Sequence, residues 1–144
     1  MQLTESSIFI NLKRLRVLLY QAQFHMTKTD RVIYGTPLMN ACGEALGAFV
    51  VAFASQEDKL RYMNLCVGWF TRLRVDLEFC VQENIIKFAK RRPQKDRNGN
   101  EIPFDDPRDQ VSPRKIELFE LVATIDSDMC KWRASLSKGK TLCG

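Results

Sequence analysis

Residues able to perform acid–base or metal chemistry are few and widely spaced in this 144-residue chain. The single histidine, His25, has no serine or cysteine at the spacing of a nucleophile and its base, and it fits better as a helix-end cation. The chain also lacks a Cys-x-x-Cys pair and the Glu-x-x-His element of di-iron bundles. We therefore expect no catalytic residues, no bound metal and no cofactor, and hence a protein that is not an enzyme.

One acidic segment faintly resembles a calcium loop. Asp96, Asn98 and Asn100 alternate as calcium ligands do, but the glycine is misplaced and the distal glutamate is missing. We interpret Asn98-Gly99 as a turn.

Basic side chains are the remaining candidates for function, because the net charge of +5 favours an acidic partner such as RNA or DNA. Residues 87 to 97 hold six cations against Asp96 alone. This cluster is either a solvated helix end and loop or a group that contacts phosphates. Its candidate binding residues are Lys87, Lys90, Arg91 and Arg92.

Other cations can be grouped by their position on predicted helices. Lys13 and Arg16 share an outer face of the first helix with Tyr20, whereas Arg61 and Arg72, eleven residues apart, share a face of the third. Both pairs are candidates for binding nucleic acid or a partner.

Arg74 differs from these residues because it falls on the apolar side of the third helix, where an unpaired charge is costly to bury. Two interpretations are open. Arg74 is either a structural arginine paired with a carboxylate such as Glu44 or Asp126, or a residue that lines a subunit or partner surface.

Apolar spacing indicates four helices in a single domain covering residues 1 to 144. We place them at about 6–25, 30–54, 56–91 and 113–137, with an exposed excursion at 93–111 that contains three prolines. The predicted fold is all-α, an up-down four-helix bundle. The apolar stripes are Ile8, Leu12, Leu15, Leu19 and Ala22 in the first helix, Leu60, Met63, Val67, Phe70, Leu77 and Val81 in the third, and Leu118, Val122, Ile125, Met129, Trp132 and Leu136 in the fourth.

The second helix is unusual because its last ten residues, 45 to 54, are apolar on every side. One face of a bundle helix normally meets water, so we expect a second copy of the chain to cover the outer face. Gly43 and Gly47 would let a neighbouring backbone approach, or they make room for Phe49 or Phe53. Pro37 requires either a helix start at residue 36 or a kinked first segment.

The cellular compartment is expected to be the cytoplasm. The first residues lack the features of a secretory signal, and five widely spaced cysteines suit free, mostly buried thiols. The apolar run at 45–54 is too short to cross a bilayer, which needs about 20 residues, so we expect no membrane association.

Four sequence features together resemble a known family. Residues 27 to 35, TKTDRVIYG, are similar to its P-K-x-[ED]-R-[FY]-x-L-G start of the second helix. Lys59 and Leu60 open the third helix as a lysine-leucine pair, residues 73 to 77 form a leucine-arginine stretch, and Trp132 lies late in the fourth. The family is the accessory variability determinant (Avd) proteins of diversity-generating retroelements, with the related rRNA intervening-sequence bundles.

This resemblance implies a homopentameric barrel of four-helix bundles that binds nucleic acid and the reverse transcriptase of the retroelement. Lys28, Arg31 and Arg74 are the positions it carries over. The chain departs from the family in its longer 93–111 excursion and its lower net charge. An oligomeric protein-interaction adaptor, or an rRNA intervening-sequence-type protein with no retroelement role, is the alternative.

Overall fold

A computed structural model describes residues 2–88, 93–103 and 112–143, with side chains described as far as residue 137. The described chain contains no strand and four long helices, which confirms the all-α prediction. They are α1 (Ser7–Ala22), α2 (Lys28–Ala54), α3 (Lys59–Gln82) and α4 (Pro113–Cys143). Short 3-10 turns lie at Leu3–Glu5 and Gln23–His25.

The four helices share one apolar core. Helix α1 packs against α2 and α4, and α3 packs against the same two helices. Helices α2 and α4 meet across the core, where the ring centroids of Phe49 and Trp132 are 5.2 Å apart. The outer side of α2 therefore faces away from α4.

The predicted stripes of α1 and α4 point into this core. All five stripe residues of α1 are buried. On α4 the first four are buried, whereas Trp132 and Leu136 are partly buried against the core. The backbone of α4 continues to Cys143, beyond the predicted end at 137, because Gly139 weakens a helix without ending it.

The start of α2 resolves the conflict at Pro37. Thr27 caps the helix, since its Oγ1 accepts a hydrogen bond from the Asp30 amide at 3.1 Å. After Lys28–Asp30 the helix widens into a π-helical turn at Arg31–Gly35, and Thr36–Ala54 is α-helical. The wider turn changes the hydrogen-bond register before Pro37, so the missing amide hydrogen does not break the helix.

Helix α3 is shorter than predicted, and its buried seam shares only Met63, Phe70 and Leu77 with the predicted stripe. The predicted end near 91 is wrong: the helix stops at Gln82 because Asn84 adopts a left-handed conformation (φ 55°) that returns Ile86 to the core. The start at 56 is also wrong, since Ser55 Oγ accepts from the Asp58 amide in a preceding turn. The seam is Met63, Cys66, Phe70, Leu73, Leu77 and Cys80, whereas Leu60, Val67 and Val81 are only partly buried.

The described part of the excursion is a small turn. Lys95 and Glu101 form an isolated antiparallel bridge around Gly99, whose φ is 82°. Asp96 Oδ1 accepts from the amides of Asn98 and Asn100, both at 2.9 Å, so this carboxylate stabilises the turn. Residues 104 to 111 lie outside the described chain.

Four described cysteines are free thiols, and three of them are buried in the core. The Cys42 thiol donates to the Leu12 carbonyl oxygen of α1 at 3.6 Å. Burial raises the pKa of Cys42 to about 11 and that of Cys66 to about 12. Burial, with the charges of Asp76 and Asp30, raises the pKa of Cys80 to about 11.

These thiols should be unreactive in the folded protein. In a Cys143→Ser background at pH 8, we expect a thiol reagent to modify Cys130 rapidly, because Cys130 is exposed. Cys42, Cys66 and Cys80 should react only in urea, as counted by mass spectrometry. Modification of Cys66 at the rate of Cys130 in native buffer would contradict this core.

Candidate assembly and nucleic-acid interfaces

A surface groove of about 670 Å³ runs between α1 and α2. We call it the α1–α2 groove. Its lining is mostly apolar, with two cations, and consists of Phe9, Lys13, Arg16, Val17, Tyr20, Met39, Gly43, Leu46, Gly47 and Val50. Lys13, Arg16 and Tyr20 therefore share one surface, as the helical spacing predicts.

Two glycines of α2 form part of the wall of this groove. A methyl group added to Gly47 would meet no atom within 4 Å, and one added to Gly43 would lie 3.5 Å from Arg16 Nη2. Neither glycine makes room for Phe49 or Phe53, so that interpretation is wrong. Gly47 instead leaves open space that a neighbouring chain could occupy.

The outer face of α2 is apolar and largely uncovered. Only 33% of the most apolar 18-residue stretch of Lys28–Ala54 is buried. By length and composition this helix could also cross a membrane, a point that the shorter run at 45–54 did not reveal. A one-sided core contact therefore leaves α2 with a second apolar surface that is exposed in the single chain.

Arg16 and Arg72 come together around the first half of the outer face of α2. Both line a second, more polar groove of about 690 Å³ that also includes Glu44 and Trp69. The Arg72 guanidinium lies 5.7 Å from the Trp69 ring centroid and 4.0 Å from Asp76. Arg61, exposed on the same face of α3, lies over Tyr62 at 5.7 Å.

Arg31 joins the beginning of α2 to the end of α1. Its Nε donates to the Gln23 carbonyl oxygen at 3.1 Å, and its guanidinium lies 5.7 Å from the Phe24 ring centroid. Gln23 Nε2 in turn donates to the Gly35 carbonyl oxygen at 3.0 Å. These contacts give Arg31 a structural role, whereas Lys28 is exposed.

Arg74 lies at the contact between α3 and α4. Its Nη1 is 3.3 Å from Asp126 Oδ1, and the two side chains are 35% and 37% exposed. Asp126 is one of the two carboxylates that the structural interpretation named. The contact supports that interpretation of Arg74 over a role on a partner surface.

A third cavity, of about 400 Å³, lies where α4 begins. His25, Lys87 and Arg114 line it, so three cationic or titratable side chains from distant parts of the chain meet at one end of the helices. Sequence reasoning missed Arg114, although the Ser112-Pro113 helix start directly before it is a recognisable signal. Of the predicted basic cluster, Lys87 is exposed, and Lys90, Arg91 and Arg92 lie outside the described residues.

Lys59 has a structural role at the junction between α2 and α3. Its Nζ donates to the carbonyl oxygens of Ala52 and Phe53, at 3.3 and 2.9 Å, and so caps the end of α2. The charge at the start of α3 thus stabilises the preceding helix.

The described side chains contain no cluster of three or more His, Cys, Asp or Glu residues able to hold a metal ion. No family model matches the chain, and neither a curated protein nor a solved structure matches it.

Glycine substitutions separate the open position in the groove from a crowded one. We expect Gly47→Ala to raise the unfolding free energy of the dissociated chain by about 1 kcal/mol, because alanine favours helix and the added methyl group is free. Gly35→Ala should raise the unfolding free energy by less than this or lower it, since the added methyl group would lie 3.1 Å from both Gln23 Cγ and Met26 Sδ. Urea unfolding at nanomolar concentration measures both; equal gains would contradict the crowding at Gly35.

Proposed function

We propose that this chain is a non-enzymatic accessory protein of a diversity-generating retroelement, where it binds RNA or cDNA and the reverse transcriptase in the cytoplasm. The observation that carries the nucleic-acid part is the meeting of Lys87 and Arg114 with His25 at one end of the helices. In the sequence Lys87 begins the basic run at 87–97, and phosphates are the ligands that such cations attract. The retroelement and the reverse transcriptase rest on the family resemblance.

We further propose that the chain is an up-down four-helix bundle that assembles with itself, as a pentameric barrel. Supporting this, α1 and α3 each pack against both α2 and α4 around one core, and the outer face of α2 exposes apolar surface beside the open Gly47. Apolar surface of this kind is stable in water when a second subunit covers it. The number five comes from the resemblance alone.

The second candidate function is a protein-interaction adaptor, or an rRNA intervening-sequence-type protein, without a retroelement role. The α1–α2 groove favours it, because an apolar groove with basic residues suits a protein helix as well as it suits assembly. Such a protein would bind a protein partner and no nucleic acid. A reverse-transcriptase gene beside a template repeat in the genome would favour the retroelement role instead.

Salt-dependent binding tests the nucleic-acid role. We expect the wild-type chain to bind labelled RNA or DNA, and Lys87→Gln with Arg114→Gln to weaken binding. Each lost phosphate contact should lower the slope of log affinity against log salt by about 0.7 to 0.9. Neutralising Lys87, Lys90, Arg91 and Arg92 together should lower it further, as measured by fluorescence anisotropy.

The matched control is Lys131→Gln with Arg133→Gln, which removes two charges from α4 at positions 17 and 19 residues beyond Arg114. Its slope should stay close to that of the wild type. If the control and the Lys87/Arg114 variant lost equal affinity, net charge alone would explain the effect and these two residues would have no specific role. Absence of wild-type binding would reject the nucleic-acid role in favour of the adaptor.

A further inference from the structure

We infer that the α1–α2 groove receives a ridge from a second copy of this chain, formed by Ile33, Val75 and Phe79 with Asp30 and Asp76 beside them. The contact is head-to-tail, because groove and ridge are different surfaces of one chain. This inference rests on the proposed self-assembly and specifies which two surfaces make it.

The apolar part of the ridge lies where the beginning of α2 meets the end of α3. The Tyr34 and Phe79 rings, with centroids 5.9 Å apart, bring these two segments to the same level. Beside them Ile33 is 53%, Val75 55% and Phe79 45% exposed. Val75 and Phe79 lie four residues apart on one face of α3, and Ile33 precedes the tyrosine that packs on Phe79, so three half-exposed apolar side chains lie close to this contact.

Acidic side chains flank this patch. Asp76 directly follows Val75 on α3, and Asp30 lies one helical turn before Ile33 on α2, so both carboxylates are close to the ridge residues in the chain. Asp76 pairs with Arg72 at 4.0 Å, but these side chains are 50% and 67% exposed. An exposed pair of this kind is weak, so Asp76 can exchange its partner for a cation of another chain.

The groove has the opposite charge and an open shape. Lys13 and Arg16 are the charged residues of its lining, and neither forms an ion pair within the described residues. Gly47 leaves space into which a ring such as that of Phe79 can insert. The groove therefore offers the ridge an apolar surface, the opposite charge and open space.

The same charges oppose a symmetric contact. Groove against groove would bring two copies of Lys13 and Arg16 together, and ridge against ridge would do so with Asp30 and Asp76. Like charges across an interface are costly, whereas groove against ridge pairs opposite charges. The groove lies on the α1 side of α2 and the ridge on its α3 side, so each copy is rotated relative to the last. Such contacts form a closed ring when the rotation divides a full turn.

Mixing two variants tests the head-to-tail contact. Gly47→Leu fills the groove and leaves the ridge intact, whereas Val75→Lys with Asp76→Lys alters the ridge and leaves the groove intact. Each variant alone should be a monomer by native mass spectrometry. Their mixture should give a 1:1 pair at twice the 16.7 kDa of one chain, because one good groove still meets one good ridge.

Two further variants test whether the loss of assembly is specific to the groove and to its charges. Ala123→Leu adds the same side chain at an exposed position of α4 and should keep the wild-type mass. Exchanging the charges in one chain, Arg16→Glu with Asp76→Arg, should restore assembly that Arg16→Glu alone weakens. Far-UV circular dichroism should be unchanged throughout.

Three outcomes would overturn the inference. Folded monomeric variants that fail to pair on mixing would reject the head-to-tail contact. Variants that keep the wild-type oligomer would place the interface elsewhere and leave the proposed assembly and nucleic-acid binding intact. A monomeric wild-type chain would reject the assembly itself, and RNA binding, measured separately, would then decide the rest of the proposed function.

Discussion

Helix α2 carries more apolar surface than its contacts with α1 and α3 cover. Its inner side supplies Leu38, Ala41, Cys42, Ala45 and Phe49 to the core, and this burial stabilises the arrangement of the other helices. Its outer side exposes Gly47 and Val51 between partly buried Leu46 and Val50. Covering that side would lower the free energy of the chain in water, so the proposed assembly depends on the same helix that supplies much of the core.

The junction before α2 directs this helix. Thr27, the π-helical turn and Pro37 set its start, and Arg31 and Gln23 tie it to the end of α1. These contacts hold the axis of α2 against α1 and so define the groove between them. At the other end Lys59 caps α2, so both termini of the apolar helix are satisfied by polar contacts with adjoining segments.

The periodicity of apolar residues was sufficient to predict the buried face of a helix where those residues are large and regularly spaced. The α1 stripe from Ile8 to Ala22 is buried in full, and the Ser112-Pro113 pair marks the start of α4. In α3 it was correct for Met63, Phe70 and Leu77 but missed Cys66, Leu73 and Cys80, which complete the seam. Valines 67 and 81 lie one position away and look equally apolar, so only packing against the other helices decides the register.

The ends of helices and the sites were predictable in part. The left-handed conformation of Asn84 ends α3 but cannot be recognised from apolar spacing. It depends on the burial of Ile86, which is a tertiary contact. The placement of Lys13 and Arg16 on one surface could be predicted from their spacing within one helix. The meeting of Lys87 and Arg114 at one cavity could not be predicted, since it depends on where the start of α4 lies relative to the segment that follows α3. The choice of Asp126 as the partner of Arg74 depends on the distance between two helices.

The molar mass of the wild-type chain in solution tests the central claim most directly. Sedimentation equilibrium or light scattering at micromolar concentration should give an oligomer, with a mass near five times 16.7 kDa for the proposed barrel. A mass of 16.7 kDa at every concentration, without detergent or lipid, would show that the exposed side of α2 is stable in water and would contradict this account.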